Sequence, residues 1–135
     1  MNTKTLLALI AAVAIVPLAV CAQTQKLSVK SVAPVVVKTV PEAGSTGVDP
    51  ATTEIQVTFS KPMQDGSWSW VGKEYLPEIV GQPRYLADGR TCVLTVKLET
   101  GRTYAIGINS QSHGNFKDRQ GRSAMPYLLA FETKK

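Results

Sequence analysis

Glu54-Ile-Gln-Val-Thr-Phe-Ser60 alternates apolar and polar residues without a break, and Lys61-Pro62 closes it. In an extended chain Ile55, Val57 and Phe59 project to one side, and Glu54, Gln56 and Thr58 to the other. One side dry and one wet is the signature of a strand in an antiparallel sheet that covers a core. Proline supplies no N–H to a ladder, so the strand has to end there.

The same rhythm extends in both directions. Upstream, Val35-Val-Val-Lys-Thr-Val40 forms a first strand ended by Pro41, and the loop Glu42–Pro50 is dense in turn residues. Downstream, Ser67-Trp-Ser-Trp-Val71 puts both tryptophans on one face. Tyr75–Gly81 reads as a loop or a short edge strand. Pro83–Ala87 and Thr91–Leu98 flank Asp88-Gly89, a hairpin signal with a left-handed residue at the turn. Cys92, Leu94, Val96 and Leu98 share one face of the second arm, while Thr91, Val93, Thr95 and Lys97 point away. After the turn at Thr100-Gly-Arg come Tyr104–Asn109, a long polar loop from Ser110 to Met125, and a last strand at Tyr127–Thr133. No window after the N-terminal stretch holds a helical period, and the strands follow too closely for parallel crossovers. The expectation is all-β: about seven antiparallel strands in two sheets packed face to face, in Greek-key order.

Ahead of the strands lies Leu6–Val20, apolar throughout, with Lys4 before it and no further charge until Lys26. This has the form of a secretory signal peptide, residues 1–22, cleaved after Ala22. Two other readings stay open. Leu18-Ala-Val-Cys21 resembles a lipobox, which would make Cys21 an acylated N-terminus; or the stretch is an uncleaved anchor, short for a bilayer and interrupted by Pro17. Residues 23–33 then read as a flexible stalk and 34–135 as one domain, with no transmembrane part in the mature chain. Only Cys92 remains after cleavage, so an exported fold here depends on packing and not on a disulfide. The formal charge is +5, with both signs interspersed along the chain. Lys117-Asp-Arg119 with Arg122 is the densest basic patch; broken by Asp118 and lying in a turn-rich stretch, it does not indicate nucleic acid, but it admits attraction to anionic envelope polymers.

Val40-Pro-Glu-Ala-Gly-Ser-Thr-Gly-Val-Asp-Pro50, followed by Ile55-Gln-Val-Thr-Phe-Ser-Lys-Pro-Met63, resembles the opening of bacterial immunoglobulin-like domains of the S-layer protein (SbsA) type. Leu98-Glu-Thr-Gly-Arg-Thr-Tyr104, Asp118-Arg-Gln-Gly121 and Phe131-Glu-Thr133 extend the similarity over roughly Pro34 to Thr133. The resemblance implies an immunoglobulin-like sandwich without enzymatic activity, serving as a spacer or adhesion module of envelope proteins.

Tyr104, just after the Gly101 turn, sits where a tyrosine corner belongs. Phe59 is a core residue, and Gly89 meets the backbone demand of the hairpin. Trp68 and Trp70 are open to two readings: core rings, or, with Tyr75 and Tyr85, a flat aromatic platform that stacks on sugars. Cys92 reads as a buried thiol and His113 as a loop residue, so neither suggests a catalytic pair. Asp49, Asp65, Asp88 and Asp118 read as turn residues; Asn115 with Asp118 lacks the spacing of a calcium loop. No catalytic residue, metal or cofactor is expected. The sequence thus points to an exported, periplasmic or surface-located module, monomeric, that meets an envelope protein or a wall or extracellular polysaccharide. The rival reading is a carbohydrate-binding module built on Trp68 and Trp70.

Overall fold

The computed structural model describes residues 11–19 and 26–135. Cys21 and the cleavage site after Ala22 lie outside the described residues, as does most of the segment read as a signal peptide. Eight strands follow in chain order: β1 (Val36–Val40), β2 (Glu54–Phe59), β3 (Trp70–Val71), β4 (Glu78–Ile79), β5 (Arg84–Tyr85), β6 (Thr91–Lys97), β7 (Thr103–Ile108) and β8 (Tyr127–Glu132). The helical content among the described residues is a single 3-10 turn, Lys73–Tyr75. Tyr75–Gly81, the segment left open between loop and edge strand, holds the last residue of that turn and then β4. Among the described residues no helix is long and apolar enough to cross a membrane.

All pairings between the named strands are antiparallel. The larger sheet runs β1-β2-β6, with β4 and β5 sharing the far edge of β6; the smaller runs β3-β7-β8. The chain changes sheets after β2, after β3 and after β6, which makes a sandwich of the pair. Past β1 it also crosses to the smaller sheet. There Gly44 N–H donates to Ala130 O (2.7 Å), Glu132 N–H to Ser45 O (2.8 Å), and Val48 N–H to Glu132 O (3.1 Å). Lys134 N–H closes the series on Val48 O (2.9 Å), and Val48 bridges Thr133 in parallel. This segment covers much of the free edge of β8.

The core is where the alternation places it. Ile55, Val57 and Phe59 are fully buried from β2, Cys92 and Leu94 from β6, Ile106 and Ile108 from β7, and Leu129 from β8. The outer side of β6 differs from the expectation. Val93 is only 1% exposed and Thr91 is also buried. Val93 lies between Gln56 and Arg84 in register. The Arg84–Glu54 ion pair, at 2.7 Å, reaches across β6 from one neighbouring strand to the other, and the two stems roof Val93. Thr91 is held by hydrogen bonds instead: its hydroxyl donates to Asp88 Oδ2 (2.7 Å) and lies 3.0 Å from Thr58 Oγ1. Asp88 Oδ1 accepts the N–H groups of Arg90 and Thr91, both at 2.9 Å. With Gly89 at φ +65°, this fixes the hairpin turn into β6.

At one end of the sandwich a charge goes inside. Lys61, just past β2, and Asp118, in the loop after β7, form an ion pair at 2.6 Å with side chains 6% and 0% exposed. Lys61 Nζ also donates to the carbonyls of Lys30 (3.0 Å) and Val32 (2.7 Å). Residues 30–32, read from sequence as part of a stalk, are thus bonded to the domain. Asp118 Oδ1 accepts the N–H groups of Gln120 (2.9 Å) and Arg122 (2.8 Å). Burial works to raise the Asp118 pKa, but the Lys61 ammonium and these N–H groups outweigh it and hold the carboxyl below its ordinary value. Asp88 is held below it too, first by the Thr91 hydroxyl and then by the two N–H groups.

Phe59→Ala removes a fully buried ring and is expected to cost about 3–5 kcal/mol in urea or thermal unfolding. Because the folded-state values of Asp118 and Asp88 lie below the unfolded ones, the stability they contribute is complete above the ordinary carboxylate range and is lost as pH falls through it. Melting followed by circular dichroism from about pH 7 to about pH 2 should therefore show a steep loss below about pH 4. Asp118→Asn should melt lower at neutral pH yet lose less on acidification.

Candidate functional site

The outer face of the smaller sheet is built differently from that of the larger. The inward residues of β7 are Tyr104, Ile106 and Ile108, so Thr103, Ala105 and Gly107 face out. Small side chains on this central strand leave a trough. Val71, Gly72 and Tyr75 wall it on the β3 side, and Pro126, Tyr127 and Leu128 on the β8 side, enclosing about 650 Å³. Gly72 is required where the wall meets the floor: a Cβ there would lie 2.5 Å from the Ala105 carbonyl oxygen. Tyr75 is 52% exposed and Leu128 62%. None of the lining residues is charged, and Ser110 and Gln111 supply polar groups at one end. A second recess, of about 600 Å³, runs beside β1 and shares Tyr127 with the first.

Asn109 closes β7 and joins the lining of the trough. Its backbone is left-handed, φ 62°, a conformation that asparagine tolerates better than most residues. The buried side-chain amide donates to Phe116 O and Ala124 O, both at 3.0 Å, and accepts the Phe116 N–H at 2.9 Å. These three bonds fold the Ser110–Met125 loop back onto the sandwich and bury Phe116 completely. Phe116 in turn meets Phe59 at 5.2 Å between ring centroids and Trp70, edge to face, at 5.0 Å. From sequence alone this stretch reads as a long polar loop. One phenylalanine outside any alternation carries no periodic signal, and the left-handed Asn109 was the only local cue.

The four aromatic residues considered for a platform are divided by the structure. Trp70 pairs in register with inward-facing Ile108, and Trp68 and Trp70 both pack, half-buried, against the core. Tyr85, on the larger sheet, also packs on the core; its hydroxyl is buried with no partner among the described residues, and burial raises its pKa. Tyr75 alone of the four is exposed, in the trough. Tyr104 is buried, and its hydroxyl accepts the Glu99 N–H at 2.8 Å across the Gly101 turn. Cys92 faces the core, and burial, with Asp65 nearby, pushes its thiol up to about 12. His113 is exposed on its loop, its Nδ1 3.0 Å from Ser112 Oγ. Asp118 is engaged by Lys61. Among the described residues no group of three or more His, Cys, Asp or Glu gathers as a metal site.

Residues 30–133 match the family described as bacterial Ig-like domain. The chain belongs to that family. No curated protein sequence matches it. Among solved structures this Ig-like domain resembles surface layer protein SbsC, domains 1–6, at TM-score 0.51 and 21% identity over 78% of the chain. The N-terminal part of the bacterial S-layer protein SbsC aligns at 0.52 and 20% identity, also over 78%. CopC from Methylosinus trichosporium OB3b aligns at 0.50 and 14% identity over 75% of this chain and 93% of CopC. At such identities the likeness establishes the fold. The Ig-like domain spans only 14% and 24% of the two S-layer chains.

Asn109→Ala leaves the Phe116 N–H and the Ala124 carbonyl without partners, while the Phe116 carbonyl keeps the Ala124 N–H at 2.8 Å, and puts alanine at a left-handed position. It is expected to cost about 2–4 kcal/mol. Hydrogen exchange should locate the loss, with the Phe116 amide exchanging faster while β2 and β6 amides stay protected.

Proposed function

We propose that this Ig-like domain is an exported, non-enzymatic module with a structural or interaction role at the cell envelope, contacting an envelope protein or a wall polymer through the outer face of β3-β7-β8. One observation carries the reading. The core is complete without that face, yet the face keeps an uncharged trough open, with Tyr75 and Leu128 more than half exposed. Apolar surface held open on a small domain marks a contact site. On the opposite outer face the Arg84–Glu54 pair spans the central strand β6 at Val93. The likeness to a surface layer protein supports an envelope setting, and the burial of Cys92 away from exposed His113 supports a role without catalysis.

A second reading, carbohydrate binding, is favoured by Tyr75, exposed on one wall of the trough, with Tyr127, half-buried against the core, on the other. It transfers the aromatic face from Trp68 and Trp70, which pack on the core, to these tyrosines. Aromatic rings flanking a trough suit the flat apolar faces of sugar rings.

Sedimentation of the purified domain with isolated bacterial envelopes tests both readings. Leu128→Lys and Tyr75→Ala alter exposed side chains and should leave folding intact. Each is expected to reduce the bound fraction severalfold. Competition by soluble wall glycan, abolished in Tyr75→Ala, selects the carbohydrate reading, and protease treatment of the envelopes that removes binding selects a protein partner. Equal retention of both variants with the wild type would overturn the assignment of this face.

A further inference from the structure

The end of the sandwich that holds the buried ion pair is strongly cationic. Lys30, Lys61, Pro62, Arg119 and Gln120 line a recess of about 240 Å³ there. Arg122 belongs to the same cluster, since its guanidinium donates to Lys30 O at 2.7 Å and lies 3.6 Å from Asp118. Asp118 is the acid in this cluster, and its charge is taken up by Lys61 at 2.6 Å. Lys30 and Arg119 are exposed, and neither has an acidic partner within 4 Å among the described residues. Within this cluster four cations against one carboxylate leave a surplus of three, beside a formal +5 for the whole chain, and at its margin Lys117 and Asp88 offset each other. Elsewhere the charges largely balance.

We infer that this end of the domain binds polyanions, taking a phosphate or carboxylate group of a linear polymer into the recess between Lys30 and Arg119. Arg119 offers a planar fork that matches either oxyanion, and Lys30 a mobile ammonium beside it. Arg122, half-committed to Asp118 and to the Lys30 carbonyl, adds field without being free to move. The chain around Lys30 is held in place by the Lys61 bonds to its own carbonyl and that of Val32, so the site is arranged before any ligand arrives. A recess of this size admits one group projecting from a chain, which favours a polymer over a flat bilayer. No aromatic ring lines it, so nothing there would stack on a nucleobase. The inference goes beyond the proposed contact through the trough and does not rest on it.

Fluorescence anisotropy with labelled polyphosphate and labelled polyuronate tests the inference, with neutral dextran as the control polymer and anionic vesicles as the competing surface. Wild-type affinity for at least one polyanion should fall steeply between about 50 mM and about 200 mM salt, as expected when phosphate or carboxylate contacts release counterions. Lys30→Gln combined with Arg119→Gln should weaken binding at least about tenfold and flatten the salt dependence. Lys97→Gln combined with Lys134→Gln removes the same charge from exposed positions at the other end and should change binding less than twofold. An unchanged melting temperature in both double variants confirms that charge, and not folding, was altered. Preference for polyphosphate or for polyuronate identifies the oxyanion. Equal losses in the two double variants, no binding of either polymer at the lower salt, or tighter binding to vesicles than to any polymer would each overturn the inference.

Discussion

An ammonium group taken out of water needs an oxygen for each of its three N–H bonds, and Lys61 finds them in Asp118 and in the carbonyls of Lys30 and Val32. That requirement ties together three pieces of chain far apart in sequence: the corner after β2, the loop after β7, and the segment leading into β1. The far oxygen of Asp118 holds Gln120 and Arg122, while Gln64 N–H donates to Lys117 O at 2.8 Å and Met63 bridges Asp118. Removing either charge would leave the other buried and uncompensated, which is strongly destabilising. The pair closes the end of the sandwich that its short strands leave open.

From that closed end the two sheets diverge in what they do with their outer faces. The larger covers its central strand with the long side chains of Arg84 and Glu54. The smaller places Ala105 and Gly107 in the middle and leaves the space above them empty. Asn109 links this difference to the core, because the amide that rims the trough also pins Phe116 inside. The central strand is therefore spanned by charged side chains on one face and left bare on the other, so the two faces differ chemically.

Alternation made most of the sandwich legible. Ile55, Val57 and Phe59, the face of Cys92 and Leu94, the Asp88-Gly89 turn and the position of Tyr104 all follow from local rules that the chain obeys. Three features were not legible, each for a physical reason. Val93 is buried by an ion pair between residues 30 apart, which no window of sequence contains. Phe116 and Asp118 sit in a loop, where burial has no period. The trough arises from what Ala105 and Gly107 lack, and small residues on a strand read as weak propensity, not as a site. The tryptophans do share a face; which face was decided by the two-residue pairing of Trp70 and Val71 with β7.

The parallel contact between residues 44–48 and β8 sets how the domain answers to tension. The chain enters beside Pro34, whose carbonyl accepts the Met125 N–H near the start of β8, and leaves past Lys134, whose carbonyl accepts the Gly101 N–H at the opposite end. Tension between those two points runs lengthwise through β1 and then through residues 44–48, so it loads the β1–β2 ladder and the bonds at Gly44, Glu132, Val48 and Lys134 in shear.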